Sequence, residues 1–233
     1  MNKRQFRIYP LILIPLWLGM TCLSAEAGVL DFRIQHIVFE NSTMKDALTL
    51  LREYGIQVGL ERAPSHAGEA RFSQQLRNVR VKDILDYLTQ ADPRYAYETV
   101  GCNLIHVYPK NAKEDPDNLL NVKIKEFEVH QYDLYKAIYH IAHLAPELRD
   151  LLQRKMRSGS VPGSSISGDM DPVRPKISLK LKNVTVRDIL NEIAGQSNKV
   201  SSGNRDFPPV GWLYEFRVDE TSALGGYPSW QVF

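Results

Sequence analysis

Residues 76–85, LRNVRVKDIL, return 105 positions later as residues 181–190, LKNVTVRDIL. Leu76, Asn78, Val79, Val81, Asp83, Ile84 and Leu85 recur identically, and Arg77/Lys182 and Lys82/Arg187 keep their charge. Self-similarity of this kind marks a duplicated module, so the chain is constrained to fold as two copies of one plan. The phrase itself reads as a strand end, Leu76 and Val79, running into a helix. Val81, Ile84, Leu85 and Leu88 then fall on one helical face.

The flanking pattern fills out each copy. In the first, residues 32–38 alternate as a strand, and Asn41-Ser42-Thr43 with Asp46 forms an acidic variant of a capping box. Met44, Ala47, Leu48 and Leu51 share a helix face that stops at Tyr54-Gly55. Ile56, Val58 and Leu60 alternate, as do Phe72, Gln74 and Leu76. Residues 95–99 and 104–108 make a hairpin about Gly101-Cys102-Asn103. In the second copy Val122, Ile124, Phe127 and Val129 predict a strand with a bulge near Glu126, and Phe127-Glu128 echoes Phe39-Glu40. Leu134, Ala137, Ile138, Ile141 and Ala142 give its first helix, and Ile177, Leu179 and Leu181 the strand before the repeated helix. Trp212, Tyr214, Phe216 and Val218 give a closing strand. Where the first copy has its Ile56–Leu60 strand, the second is expected to carry an extra helix from Pro146 and a flexible loop instead. This insert spans 146–175.

The expected fold is therefore α+β: two tandem split β-α-β units (β-α-β-β-α-β), each a small mixed sheet with two helices on one face. The boundaries read as 28–112, 113–218 and a flexible tail over 219–233.

The unit resembles the secretin and TonB short N-terminal domain family. The likeness rests on residues 39–51 and 76–88 in the first copy, and on 127–138 and 181–193 in the second. It implies a domain without catalysis that binds other envelope proteins or its own copies, in a secretin-, pilus- or TonB-linked assembly. The motif is one of packing and speaks for fold more than for function. No secretin channel domain is read after Val218, where 15 residues follow.

Residues 1–27 read as a secretory signal, which predicts a periplasmic protein. Lys3, Arg4 and Arg7 form the basic start, residues 11–23 the apolar run, and Ala25-Glu26-Ala27 a cleavage site before Gly28. The apolar run is short for a membrane span of about 20 residues, so no transmembrane segment is expected after cleavage. The remaining chain has 26 basic and 26 acidic residues. That balance, with no aromatic RNA-binding strand and no GxxG clamp, argues against nucleic acid. Cys102 alone remains as a thiol, which excludes an internal disulfide.

No catalytic constellation and no cofactor motif is present, so the chain is expected not to be an enzyme. His130, His140 and His143 could hold zinc only with further ligands; they define the alternative of a metal-dependent hydrolase. A periplasmic small-ligand-binding sensor, with its cleft between the units, is the other alternative. Asp83 and Asp188 read as helix caps, and Asn78 and Asn183 as turn residues. Candidate partner-binding residues lie where the copies differ: Leu148, Leu151, Leu152 and Met156 on the inserted helix, and Tyr227, Trp230 and Phe233 in the tail.

Overall fold

The first copy, after a 3-10 turn at Val29–Asp31, runs β1 (Arg33–Ser42), α1 (Met44–Glu53), β2 (Gln57–Glu61), β3 (Phe72–Arg80), α2 (Val81–Ala91), β4 (Tyr95–Val100) and β5 (Leu104–Pro109). After a matching turn at Leu119–Asn121, the second runs β6 (Lys123–Tyr132), α3 (Leu134–Leu144), α4 (Pro146–Lys155), β7 (Ser165–Gly168), β8 (Ile177–Thr185), α5 (Val186–Ser201), β9 (Trp212–Val218) and β10 (Gly226–Val232). This is an α+β fold. The computed structural model describes residues 28–63, 68–101, 103–155, 165–168, 176–201, 209–218 and 226–232.

Two expectations for the second copy are corrected. The strand thought to be replaced within 146–175 is present as β7, displaced downstream by α4. The segment expected to be a flexible tail contains β10, which completes a hairpin with β9 like that of β4 with β5. Neither strand shows in the sequence. β7 is Ser-Ile-Ser-Gly and β10 carries Gly226 and Pro228, residues that propensity excludes from strands.

The repeated phrase builds the same corner twice. β1 pairs with β3 and β6 with β8, both antiparallel. Asn41 and Gln131 take φ of 50° and 54° beside the break in each ribbon, and Asn78 and Asn183 take 46° and 54° near its other end. Left-handed backbone favours asparagine, so Asn78 and Asn183 repeat for conformation, within a strand instead of at a turn. Ile37 faces Leu76 and Phe127 faces Leu181, which matches Phe127 to Ile37. The echo of Phe39-Glu40 in Phe127-Glu128 is thus two residues out of step. The irregularity in β6 lies between Val129 and Tyr132, not near Glu126.

Capping follows the sequence in most places. Thr43 and Asp46 form a complete capping box, and Thr185 and Asp188 exchange the same bonds. Asp133 caps α3 by accepting from the Lys136 backbone. At α2 the N-cap is Arg80, whose guanidinium instead holds Asp83 at 2.8 and 3.0 Å.

The copies do not keep separate sheets. Six strands run β4-β5-β2-β9-β10-β7, three from each copy, joined where β2 lies parallel to β9. Within each triple the inner relations are the same: β2 is parallel to β5, β7 to β10, and the hairpins are antiparallel. β2 has neighbours on both sides and is buried throughout, so its Gln57 and Glu61 are buried along with Val58 and Leu60. That is why its alternation, clear in sequence, does not sort inside from outside.

Successive strand residues face opposite sides, and the two cores divide accordingly. Ile105, Val107, Val58, Leu60 and Leu213 join the core of α1 and α2. Leu104, Trp212, Tyr214 and Trp230 join that of α3, α4 and α5. The central sheet therefore carries the first copy's helices on one face and the second copy's on the other. Each copy does pack its own helices on one face of its own strands. No described helix is long and apolar enough to cross a membrane.

Candidate functional site

The residues brought together most tightly lie at the seam between the copies. Glu61 on β2 and Arg187 on α5 are both buried and pair at 3.0 Å. Asn118 donates to the other Glu61 oxygen and to the Ala112 carbonyl, while its own side-chain oxygen accepts from the Leu120 backbone. Arg187 also donates to Asn121 at 2.6 Å, and its Nε is buried without a partner. Gln57 donates to the Ala194 carbonyl across the same seam. Arg62 ties the far end of β2 to β9, through its backbone to Tyr214 and its side chain to Glu215 at 3.0 Å.

Beside this clasp, Trp212 lies over Gly59. A Cβ built on Gly59 would fall 2.5 Å from the indole, so glycine there permits the close approach. The Trp212 Nε1 donates to Asn191, and its ring lies 5.1 Å from that of His106. His106, stacked on Tyr108 at 4.9 Å, is 0 % exposed. Its Nδ1 stands 3.3 Å from a Glu98 oxygen, and its Nε2 is buried without a partner. A carboxylate can only accept, so the proton sits on Nδ1. Burial lowers the imidazole's proton affinity and keeps it neutral. The hydrogen bond from His106, and then that from Lys113, hold the Glu98 carboxyl down to about 2.

Outward from Glu98 an open cleft of about 590 Å³ runs between the β4–β5 turn and the N-terminal end of α5. Lys113, Asn121, Lys123, Arg187 and Asn191 supply its polar groups, with Thr99 and Val100 on the strand side. The α5 terminus is already satisfied by Thr185 and Asp188, and Glu98 and Lys113 are bound to each other. Among the described residues no nucleophile stands beside a base here. The cleft can exchange hydrogen bonds with a polar or aromatic guest.

At the opposite end of the sheet, α3 lies beside β7 and presents Tyr135 and Tyr139, which are 38 % and 45 % exposed. They fall one helical turn apart on a single face.

The residues expected to bind a partner are mostly core. Leu148, Leu151 and Leu152 are buried against the second copy's strands and helices, and Trp230 is 1 % exposed, packed on Tyr214 with ring centroids 4.8 Å apart. These four are corrected: α4 spends its apolar stripe on its own unit, with Glu147 accepting from the Lys125 backbone. Met156, Phe233 and the side chain of Tyr227 lie outside the described residues, as does Cys102.

The two described histidines of this set, His130 and His140, keep different neighbours. His130 contacts Ser178 at 3.4 Å, whereas His140 packs edge-on to Phe127 and Tyr132. The His143 side chain lies outside the described residues. Among the described residues no group of three His, Cys, Asp or Glu side chains could hold a metal ion. The seam itself was missed in the sequence. Its signals are the matching stretches Tyr95-Ala-Tyr-Glu and Trp212-Leu-Tyr-Glu and the buried charges Glu61 and Arg187, which no periodicity flags. Comparison of the chain with protein-family models and with curated proteins gives no match.

Proposed function

We propose that the chain is a non-catalytic protein–protein interaction module of the periplasm, working in a secretin-, pilus- or TonB-linked envelope system. The observation that carries this reading is the sheet with its two ends. β4 and β7 each have one strand neighbour among the described residues, leaving backbone groups that accept a further strand. The exposed tyrosine pair beside β7 adds side chains of the type that anchor interfaces. The signal-like N-terminus and the resemblance to the secretin and TonB short N-terminal domain supply the compartment and the kind of system.

A photo-crosslinker at Tyr139, introduced in cells, tests the reading. Crosslinks to a component of a secretion, pilus or TonB machine, absent when the crosslinker is moved to α4, are the expected result. An envelope fraction that yields none, or a protein retained in the cytoplasm, would overturn it. The cleft beside Glu98 favours a second reading, a small-ligand sensor, which predicts a rise in melting temperature with a polar small molecule. That rise should vanish in Lys123→Glu.

A further inference from the structure

The two copies are related by more than duplication. Unit one orders its strands β4-β5-β2 and unit two β9-β10-β7, with every strand direction reversed and the helices on the opposite face. This is a step along the sheet combined with a half-turn about the row. Such a relation does not close after one step. The face that receives the second copy is made by β2 with α1. Lys45 of α1 bonds Gln231 of β10 at 3.1 Å, and Arg52 bonds the Pro209 carbonyl. The face that docks onto it is made by β9 with α5.

Both faces recur at the ends of the row, uncovered among the described residues. β7 and α3 correspond to β2 and α1. Tyr135 and Tyr139 hold the second and sixth positions of α3, as Lys45 and Thr49 do in α1. β4 and α2 correspond to β9 and α5. Lys82 and Asp86 stand exposed or half-exposed where Arg187 and Asn191 are buried. In the seam, α1 leans over the hairpin of the unit it receives. The same lean by α3 would bring its tyrosines over the next copy's β4–β5 hairpin, at Tyr108 and Ala96, which hold the places of Gln231 and Leu213.

We propose that the seam repeats between molecules: the α3–β7 end of one copy takes the β4 end of a second copy, strand beside strand and tyrosines over the β4–β5 hairpin at Ala96 and Tyr108, in a head-to-tail row. This rests on the reading of the chain as an interaction module and names one partner, another copy of itself. The contact is looser than the seam inside the chain. β7 has no carboxylate to match Glu61, and association between molecules costs freedom that the linked copies have already lost. The row is therefore reversible and concentration-dependent.

Sedimentation of the full mature chain from about 1 to about 500 µM, a range that spans weak association, gives the first readout: average mass rising with concentration. Two variants should each stay monomeric. One is Tyr135→Lys with Tyr139→Lys, which blocks the aromatic end; the other is Ala96→Trp, which crowds the face of the hairpin that the tyrosines would cover, opposite Tyr95 and Tyr97. Mixed together they should form a dimer, because each keeps the end the other has lost. That recovery cannot come from misfolded protein. A chain that stays monomeric throughout overturns the inference. So does a dimer that both variants retain, or one that mixing fails to restore. Capture of an envelope partner by a chain that never self-associates would leave the proposed function standing and this inference refuted. Self-assembly without such a partner would do the reverse.

Discussion

Glu61 and Arg187 give the seam its sharpest dependence on single side chains. A buried pair is costly to desolvate, and removing one partner leaves the other charged and uncompensated. Arg187→Leu is expected to lower unfolding free energy by about 3–5 kcal/mol, measured by urea denaturation. Glu61→Leu combined with Arg187→Leu should cost clearly less. His106 and Glu98 set the response to acid. The imidazole's folded proton affinity lies below its ordinary value of 6.5. The unfolded chain therefore takes up the proton first, and stability falls as pH drops below about that value. Glu98 is held at about 2 against an ordinary 4.5, so its contribution is present above 4.5 and is lost as pH falls towards 2. His106→Gln should flatten the first part of this acid loss, between pH 6.5 and 4.5, in a pH series of melting temperatures. None of these residues announces itself in the sequence. A lone histidine inside a strand reads as surface, and Glu61 ends a stretch whose alternation points it away from the apolar side. Their meaning comes from α5 and β9, which arrive from the other copy. By contrast Thr43, Asp46, Thr185 and Asp188 were legible, because a cap is a local interaction decided within four residues.

Helices were legible as elements and their partners were not. The apolar stripes of α1, α2, α3 and α5 fall where the spacing puts them, since a helix carries its periodicity in its own sequence. The stripe of α4 also formed as expected, yet it faces inward. Leu151→Ala is expected to cost about 2–5 kcal/mol through the cavity left behind, while Tyr139→Ala should change stability by less than about 0.5 kcal/mol. Denaturation of the two variants side by side separates core from surface on that helical layer. The short strands escaped for a physical reason. β7 and β10 owe their conformation to neighbours that supply hydrogen bonds, and Ser165, Gly168, Gly226 and Pro228 contribute no propensity of their own.

At the scale of the whole molecule, the sequence showed two units and could not show that they share a sheet. Repeats reveal what is the same in two copies; the junction depends on where they differ. β9 meets β2 through Trp212 on Gly59, a contact with no forerunner in the repeated phrase. The junction predicts mutual dependence. Ending the chain at Val218 removes β10 and with it the buried Trp230, and should abolish the cooperative melting of both units together, followed by near- and far-ultraviolet circular dichroism. The same junction governs timing. β2 lies near residue 60 and β9 near residue 213, so the edge made early waits for a strand made late. Loop closure of that length is slow to be repaid by contact energy. A chain emerging from synthesis thus keeps the first unit's sheet unfinished until almost its whole length has appeared. Under the periplasmic assignment proposed above, that delay would keep the chain threadable through a membrane.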